Sequence, residues 1–275
     1  MSTTRTEVVE LLGRHGLKPS RALGQNFVVD SNVIDAVVRG AELSQEDLVV
    51  EVGPGLGALT VALAAAAKQV LTIEADRHLL APLAEVLSGA SVTNVEVIHG
   101  DATTSGWRDH LGDPTKRWSM VSNLPYNIAV PLLMDLLDNE PRISTFTFMV
   151  QTEVAERLVA PVGTKAYGIP SLKVAYWCEA RIVRRVSASV FYPKPKVSSA
   201  VVRMVRRPAP AVDVDPGQLF QLIRTAFGKR RKMLRRSLAP LISPSGFSLA
   251  EVEPTARPEQ LTINDWARLA NIMLL

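Results

Sequence analysis

The stretch Val49-Val50-Glu51-Val52-Gly53-Pro54-Gly55-Leu56-Gly57 restricts this chain more than any other. Leu48, Val49, Val50 and Val52 form a short apolar run, the pattern of a strand buried on both faces. Three glycines at alternate positions then end it, and Leu59, Val61, Ala62, Leu63 and the alanines through Ala67 continue as helix formers. A strand–turn–helix is expected, in which the missing β-carbons let backbone press against a ligand. A glycine turn alone is equally compatible with a tight turn that binds nothing. The rest of the chain decides between these.

From Leu48 onward strand and helix patterns alternate. Residues 70–73, 95–98, 120–122 and 145–150 read as further strands, with helices at about 77–87, 129–138 and 152–160. Such alternation predicts a parallel sheet covered on both faces, and ligands of such sheets lie beyond the carboxyl ends of the strands. Polar and glycine residues fall there four times: Gly53, Glu74, Asp101 and Asn123. Residues 180–186 and 200–205 read as two more strands, separated by Phe191-Tyr192-Pro193-Lys194-Pro195-Lys196, whose prolines keep that loop extended and out of the sheet. Before the sheet, a short amphipathic helix over 5–18 precedes Leu23-Gly24-Gln25-Asn26-Phe27, which also fits an ordinary helix–helix connection, and a helix capped by Asp30 or Ser31. Pro208-Ala209-Pro210 is the best linker, dividing the chain into 1–207 and 208–275. Beyond it, helices are expected at 216–227, 229–239, 248–252, 258–260 and 263–274, with a break at Ser243-Pro244-Ser245-Gly246.

A chain of 275 residues, 47% hydrophobic, can bury a large core and a smaller one. No apolar run is long enough to span a bilayer, and Met1-Ser2-Thr3-Thr4-Arg5-Thr6-Glu7 lacks the basic-then-apolar pattern of a secretory signal. Cys178 is the only cysteine, which excludes an intramolecular disulfide and a cysteine-based zinc site. Four scattered histidines lack ligand spacing. A metal-free protein of the cytoplasm is expected. Net charge is only +4, yet residues 181–236 hold fifteen Lys/Arg against two acids, +13, leaving −9 for the remainder. So large a separation of sign favours a nucleic-acid partner. Its densest part is Lys229-Arg230-Arg231-Lys232-Met233-Leu234-Arg235-Arg236, suited to phosphate contacts more than base reading.

Gly53-Pro54-Gly55-Leu56-Gly57 is G-x-G-x-G, not the G-x-G-x-x-G of dinucleotide enzymes. Glu74, twenty-one residues after Gly53 at the end of the next strand, can accept hydrogen bonds from both ribose hydroxyls, a feature NAD and S-adenosylmethionine sites share. Glu51 and Asp101 favour a ligand with positive charge: S-adenosylmethionine brings a sulfonium and an ammonium, whereas NAD brings a pyrophosphate.

Asn123-Leu124-Pro125-Tyr126 carries the most specific chemistry. An exocyclic amine of a nucleobase is a poor nucleophile because its lone pair is delocalised into the ring. The Asn123 carboxamide oxygen and a backbone carbonyl held rigid by Pro125 can accept the amine's two hydrogens, draw the nitrogen toward tetrahedral geometry and free the lone pair for in-line attack on a methyl. Tyr126 can stack on an everted base, with Phe27 and Phe191 as choices for the opposite face.

Taken together, these residues resemble the bacterial 16S rRNA adenine dimethyltransferases from about residue 17 to 238, with looser similarity beyond. The resemblance runs through Leu23-Gly24-Gln25-Asn26-Phe27 with Asp30, the glycine turn, Ile73-Glu74, Gly100-Asp101-Ala102, Asn123-Leu124-Pro125-Tyr126-Asn127, Gln151-Thr152-Glu153-Val154-Ala155-Glu156-Arg157, Phe191 to Val201 and the basic stretch. It implies a Rossmann-like, seven-stranded class I methyltransferase sheet with a small all-helical C-terminal domain that binds RNA. The implied reaction dimethylates N6 of two adjacent adenosines in a hairpin loop near the 3′ end of 16S rRNA, within the immature 30S subunit, by a monomer using S-adenosylmethionine. Position by position it implies Asn26 and Val28 on the methionine side, Gly53 at the cleft floor, Glu74 on the ribose, Asp101 on the adenine amine and Asn123 between cofactor and target. Lys194, Lys196, Lys229, Arg230, Arg231, Lys232, Arg235 and Arg236 are the expected RNA contacts. Val28 and Pro170 each stand where leucine is more usual.

The nearest rival is the related 23S rRNA adenine methyltransferase; the Asn123-Leu124-Pro125-Tyr126 form, the Lys194-Pro195-Lys196-Val197 loop and the long basic helical tail fit the 16S group better. A DNA adenine methyltransferase would want a separate base-reading domain. A silent ribosome-assembly factor on the same fold would not need an intact glycine turn and Asn123-Leu124-Pro125-Tyr126. A nicotinamide-dependent oxidoreductase is disfavoured by the glycine spacing.

Overall fold

The computed structural model describes residues 4–20, 23–104 and 106–273. Its strands are β1 (Phe27–Val28), β2 (Leu48–Val52), β3 (Gln69–Glu74), β4 (Val95–His99), β5 (Trp118–Asn123), β6 (Ile143–Gln151), β7 (Cys178–Val186), β8 (Phe191–Tyr192) and β9 (Ser199–Arg206). Seven form one sheet in the order β4-β3-β2-β5-β6-β9-β7. β4, β3, β2, β5 and β6 run parallel, and β9 pairs antiparallel with β6. Every sheet strand expected from the sequence is present.

Burial explains why those strands were legible. Val49, Val50, Val70, Leu71, Met120, Val121, Phe146 and Phe148 are all fully buried, so the central strands read as continuous apolar runs. β4 at the sheet edge keeps Glu96, Val97 and His99 exposed and has the weakest pattern. The chain order folds back at β2, because β3 and β4 lie on one side of it and β5 and β6 on the other. That reversal is where a crevice opens at the carboxyl ends of the strands. β1 and β8 form a separate antiparallel pair, Phe27 opposite Tyr192 and Val28 opposite Phe191. Two-residue strands leave no periodicity to read.

The chain divides into two compact units, residues 1–155 with 181–205, and 156–180 with 206–275. The expected division at 207 therefore needs a correction: residues 156–180 group with the C-terminal helices. The reason is apolar burial. Leu172 and Tyr176 of the helix Ile169–Trp177 share one core with Leu219, Phe220, Leu222 and Ile223 of the helix Pro216–Phe227 and with Trp266 of the helix Ile263–Ala270.

Four helix expectations also change. The basic run is not helical over 229–239: Lys229 to Lys232 form a turn, and only Leu234–Ser237 is helix. Its backbone is drawn elsewhere, with Leu234 N–H donating to Ala256 O (2.9 Å) and Arg235 N–H to Pro254 O (2.9 Å). Ser243-Pro244 starts a helix rather than breaking one: Ser243 caps Pro244–Leu249, and proline at the first helical position loses no bond. The first helix, Arg5–Arg14, is shorter than 5–18, and the last ends at Ala270; residue 274 of the expected 263–274 helix, and Met1 to Thr3, lie outside the described residues.

Candidate active site

Gly53, Gly55 and Gly57 all take positive φ (+71°, +58° and +83°), which explains the repeated glycines. Space is short at all three: a β-carbon on Gly57 would lie 2.8 Å from the buried Leu83 side chain. A β-carbon on Gly53 would lie 3.3 Å from the Pro125 ring, and one on Gly55 would lie 3.1 Å from the Phe27 ring. The glycine turn is thus pressed from two sides by the protein's own proline and phenylalanine. The space left is a cleft of about 230 Å³ at the carboxyl ends of the strands, lined among others by Asn26, Gly53, Glu74, Asp101, Asn123 and Tyr126.

Three carboxyls line it, in three electrostatic states. Glu51, 1% exposed on β2, accepts from the Thr60 hydroxyl (2.6 Å), and burial pushes its carboxyl up to about 8 despite that bond. Glu74 ends β3 and accepts from Gly55 N–H (3.1 Å) through Oε2 and from Asp76 N–H (2.8 Å) through Oε1; burial raises its pKa, and these backbone bonds oppose the rise. Asp101 is exposed, and its Oδ1 accepts from the Thr103 amide (2.8 Å) and hydroxyl (2.7 Å), which hold it below the usual carboxylate range. The glycine turn and Glu74 are therefore one hydrogen-bonded piece.

Asn123 ends β5. Its Nδ2 donates to the Asn26 carbonyl (3.1 Å). A carbonyl oxygen only accepts, so the amide nitrogen must face it, leaving Oδ1 on the other side of the group. The following turn is fastened by Leu124 N–H to Met149 O (3.2 Å) and by Ile128 and Ala129 N–H to Pro125 O (3.2 and 3.1 Å). The Leu124 side chain is buried, so only its backbone can serve a ligand. Tyr126 is half-buried, lines the cleft, and shares a 2.7 Å hydroxyl–hydroxyl bond with Ser199; burial raises its phenol above the ordinary value, so it stays neutral.

The structure brings Asn26, Val28, Gly53, Glu74, Asp101, Asn123, Leu124, Pro125 and Tyr126 to one cleft. Of the two phenylalanines, Phe191 does not line the cleft, and Phe27 lines it while only 8% exposed. Phe27 packs with Val8, Leu11, Leu12, Leu56 and Leu79, and Phe191 with Val28, Val33 and Ile34, each under 9% exposed. Lys194 and Lys196 are exposed on the first unit. In the second unit Lys229, Arg231, Lys232, Arg235 and Arg236 are exposed, whereas Arg230 is engaged by Glu259 (3.5 Å) and the Lys165 carbonyl (3.1 Å). The sequence reading missed Thr60, Gln25 and Ser199. Gln25 bridges Asp76 (2.8 Å) and the Ser20 amide (2.7 Å) beside the cleft. Gln25 sits in a stretch already singled out. Ser199 likewise lies in the Phe191 to Val201 stretch, where nothing local shows its partner; Thr60 leaves no local signal.

The family model described as ribosomal RNA adenine dimethylase matches residues 16–274. The chain is 44% identical over 283 residues to ribosomal RNA small subunit methyltransferase A of Pelotomaculum thermopropionicum, covering 97% of this chain and 95% of that one. It is 42% identical to the protein of the same description from Kineococcus radiotolerans, covering 96% and 89%. Among solved structures, the 23S rRNA methyltransferase ErmE superposes with a TM-score of 0.68 at 28% identity over 90% of this chain and 99% of that one. A dimethyladenosine transferase from Plasmodium falciparum superposes with a TM-score of 0.74 at 23% identity over 90% and 100%, a likeness of fold.

Proposed function

Because the chain belongs to the ribosomal RNA adenine dimethylase family, we propose that it moves methyl groups from S-adenosylmethionine to N6 of two adjacent adenosines in the 3′-terminal hairpin loop of 16S rRNA, dimethylating each. The observation that carries the reading is the Asn123 amide, whose nitrogen is tied to Asn26 O so that Oδ1 is left to accept from an amine.

The cleft suits such a donor. Its lining holds three carboxyls and, among the described residues, no lysine, arginine or histidine, which favours a sulfonium and an ammonium over a pyrophosphate. Both Glu74 oxygens keep a second lone pair beyond their backbone bonds, enough for two ribose hydroxyls. Asp101 uses Oδ1 for Thr103, which leaves Oδ2 for the adenine amine. Asn26 and Val28 then flank the methionine portion. Bound there, the donor supplies an electrophilic methyl carbon on a sulfonium. Asn123 Oδ1 and the Leu124 carbonyl accept the target amine's hydrogens and localise its lone pair, Pro125 holds their spacing, and Tyr126 presents a face to the base. No tuned base is required, since the amine nitrogen becomes acidic as it is alkylated.

The exposed cations of both units support contacts to rRNA phosphates within the immature 30S subunit. No described helix is long and apolar enough to cross a membrane. We infer that the protein meets this rRNA in the cytoplasm, as a monomer. The likeness to ErmE favours one second reading, 23S rRNA as the target. Incubating the protein with labelled S-adenosylmethionine and undermethylated 30S or 50S subunits, then mapping nucleosides by mass spectrometry, tests both. Dimethyladenosine in the 3′-terminal loop of 16S rRNA is expected; label confined to 23S rRNA, or none, refutes the proposal.

A further inference from the structure

The target-stacking residue is held at both ends, and only one hold is local. Tyr126 follows the fastened Asn123-Leu124-Pro125 turn, which fixes its backbone. The ring can then swing about χ1 unless something holds its far end. That hold is the 2.7 Å bond between the Tyr126 hydroxyl and Ser199 Oγ, from a residue seventy-three positions away.

The anchor is itself immobilised. Ser199 is fully buried at the start of β9, in register with Gln151 of β6. Its neighbour Ser198 accepts through its carbonyl from Thr152 N–H (3.0 Å) and shares a 2.8 Å hydroxyl bond with Thr152 Oγ1. A buried hydroxyl on a clamped strand end, joined to a phenol that lines the cleft, makes a strut. Tyr126 is otherwise the one cleft aromatic with a partly open ring, since Phe27 is buried.

We propose that Ser199 is a positioning residue of the transfer site: its hydroxyl anchors the far end of the Tyr126 ring, fixing where that ring sits in the cleft and so where the target base docks. This rests on the stacking role given to Tyr126 above. A base received by a ring already in place loses less freedom on docking than one that must order the ring, and the amine meets Asn123 Oδ1 in alignment. Ser199 does not itself line the cleft, so it reaches the transfer site only through the Tyr126 ring.

The test compares Ser199→Ala, Tyr126→Phe, the double variant and Ser199→Thr, which keeps a hydroxyl on a strand position. Single-turnover and steady-state methylation of undermethylated 30S subunits are measured beside donor affinity by calorimetry. Ser199→Ala and Tyr126→Phe should each lower kcat about fivefold, the loss of one oriented hydrogen bond, with donor Kd within about twofold of wild type. The double variant should be no worse than either single, because both remove the same bond. Ser199→Thr should recover to within about twofold. Tyr126→Phe retains the ring and the core, so it carries the test if a Ser199 variant fails to fold. Wild-type rates in Tyr126→Phe and Ser199→Ala, losses that multiply in the double variant, or a loss in donor affinity equal to that in kcat would overturn the strut. A wild-type protein unable to methylate rRNA would instead overturn the site reading and the strut with it.

Discussion

Glu51→Gln isolates the most perturbed carboxyl of the donor cleft. Glu51 is 1% exposed, and burial raises its pKa from 4.5 to about 8, against the bond from Thr60. Between those values the folded protein holds a proton that the unfolded chain has released. The unfolded state therefore binds fewer protons, and stability falls as pH climbs from about 4.5 to about 8, levelling off above. At about 1.4 kcal/mol per pH unit, the group costs the fold on the order of 4 kcal/mol at pH 7.5 and about 1 kcal/mol at pH 5. Glutamine keeps the shape and the acceptor for Thr60 while removing the titration. Its extra amide hydrogens cost about 1 kcal/mol at every pH. The variant should therefore match wild type near pH 5 and exceed it by roughly 3 kcal/mol at pH 7.5, read by urea denaturation across pH 5 to 8.5. Glu74, also raised by burial, leaves a residual slope common to both proteins. A stability difference that does not change with pH would show that Glu51 is ionised in the fold and refute the argument. The same logic makes binding of a cationic donor expel a proton from Glu51, so calorimetry in two buffers of different ionisation enthalpy should show proton release in wild type and less in Glu51→Gln.

Asn123→Ala should lower kcat about 10²- to 10³-fold; since Nδ2 also holds the Asn26 carbonyl, donor affinity should weaken too, but by no more than about fivefold, and equal losses in both would refute the division of labour. Glu74→Ala removes the acceptor of Gly55 and Asp76 N–H and should weaken donor binding by at least about tenfold, so an unchanged calorimetric Kd would remove the ribose assignment. Alanine at Lys229, Arg231 and Lys232 should flatten the salt dependence of rRNA binding by about two units of log K against log salt. Arg230→Ala, by contrast, should act mainly through its contacts with Glu259 and Lys165, lowering the thermal midpoint with little change in the salt slope.

Much of this protein was written in one dimension. A strand buried on both faces must be apolar throughout, so β2, β3, β5 and β6 declared themselves, and positive φ at Gly53, Gly55 and Gly57 demanded glycine. Because strand ends gather on one edge of a parallel sheet, Glu74, Asp101 and Asn123 were legible as neighbours before any coordinate. Periodicity could not say that residues 156–180 complete the C-terminal core, since an apolar face does not name what covers it. Nor could it tell an aromatic offered to a base from one spent on packing: Phe191 packs away from the cleft, and Phe27 both packs in an apolar cluster and lines the cleft. The links Asn26–Asn123, Thr60–Glu51 and Ser199–Tyr126 join positions up to ninety-seven residues apart. Local sequence sets which groups are present and which strand carries them; only the assembled fold brings a hydroxyl or a carbonyl within 3.1 Å of its partner and thereby fixes which atom of each side chain remains for chemistry.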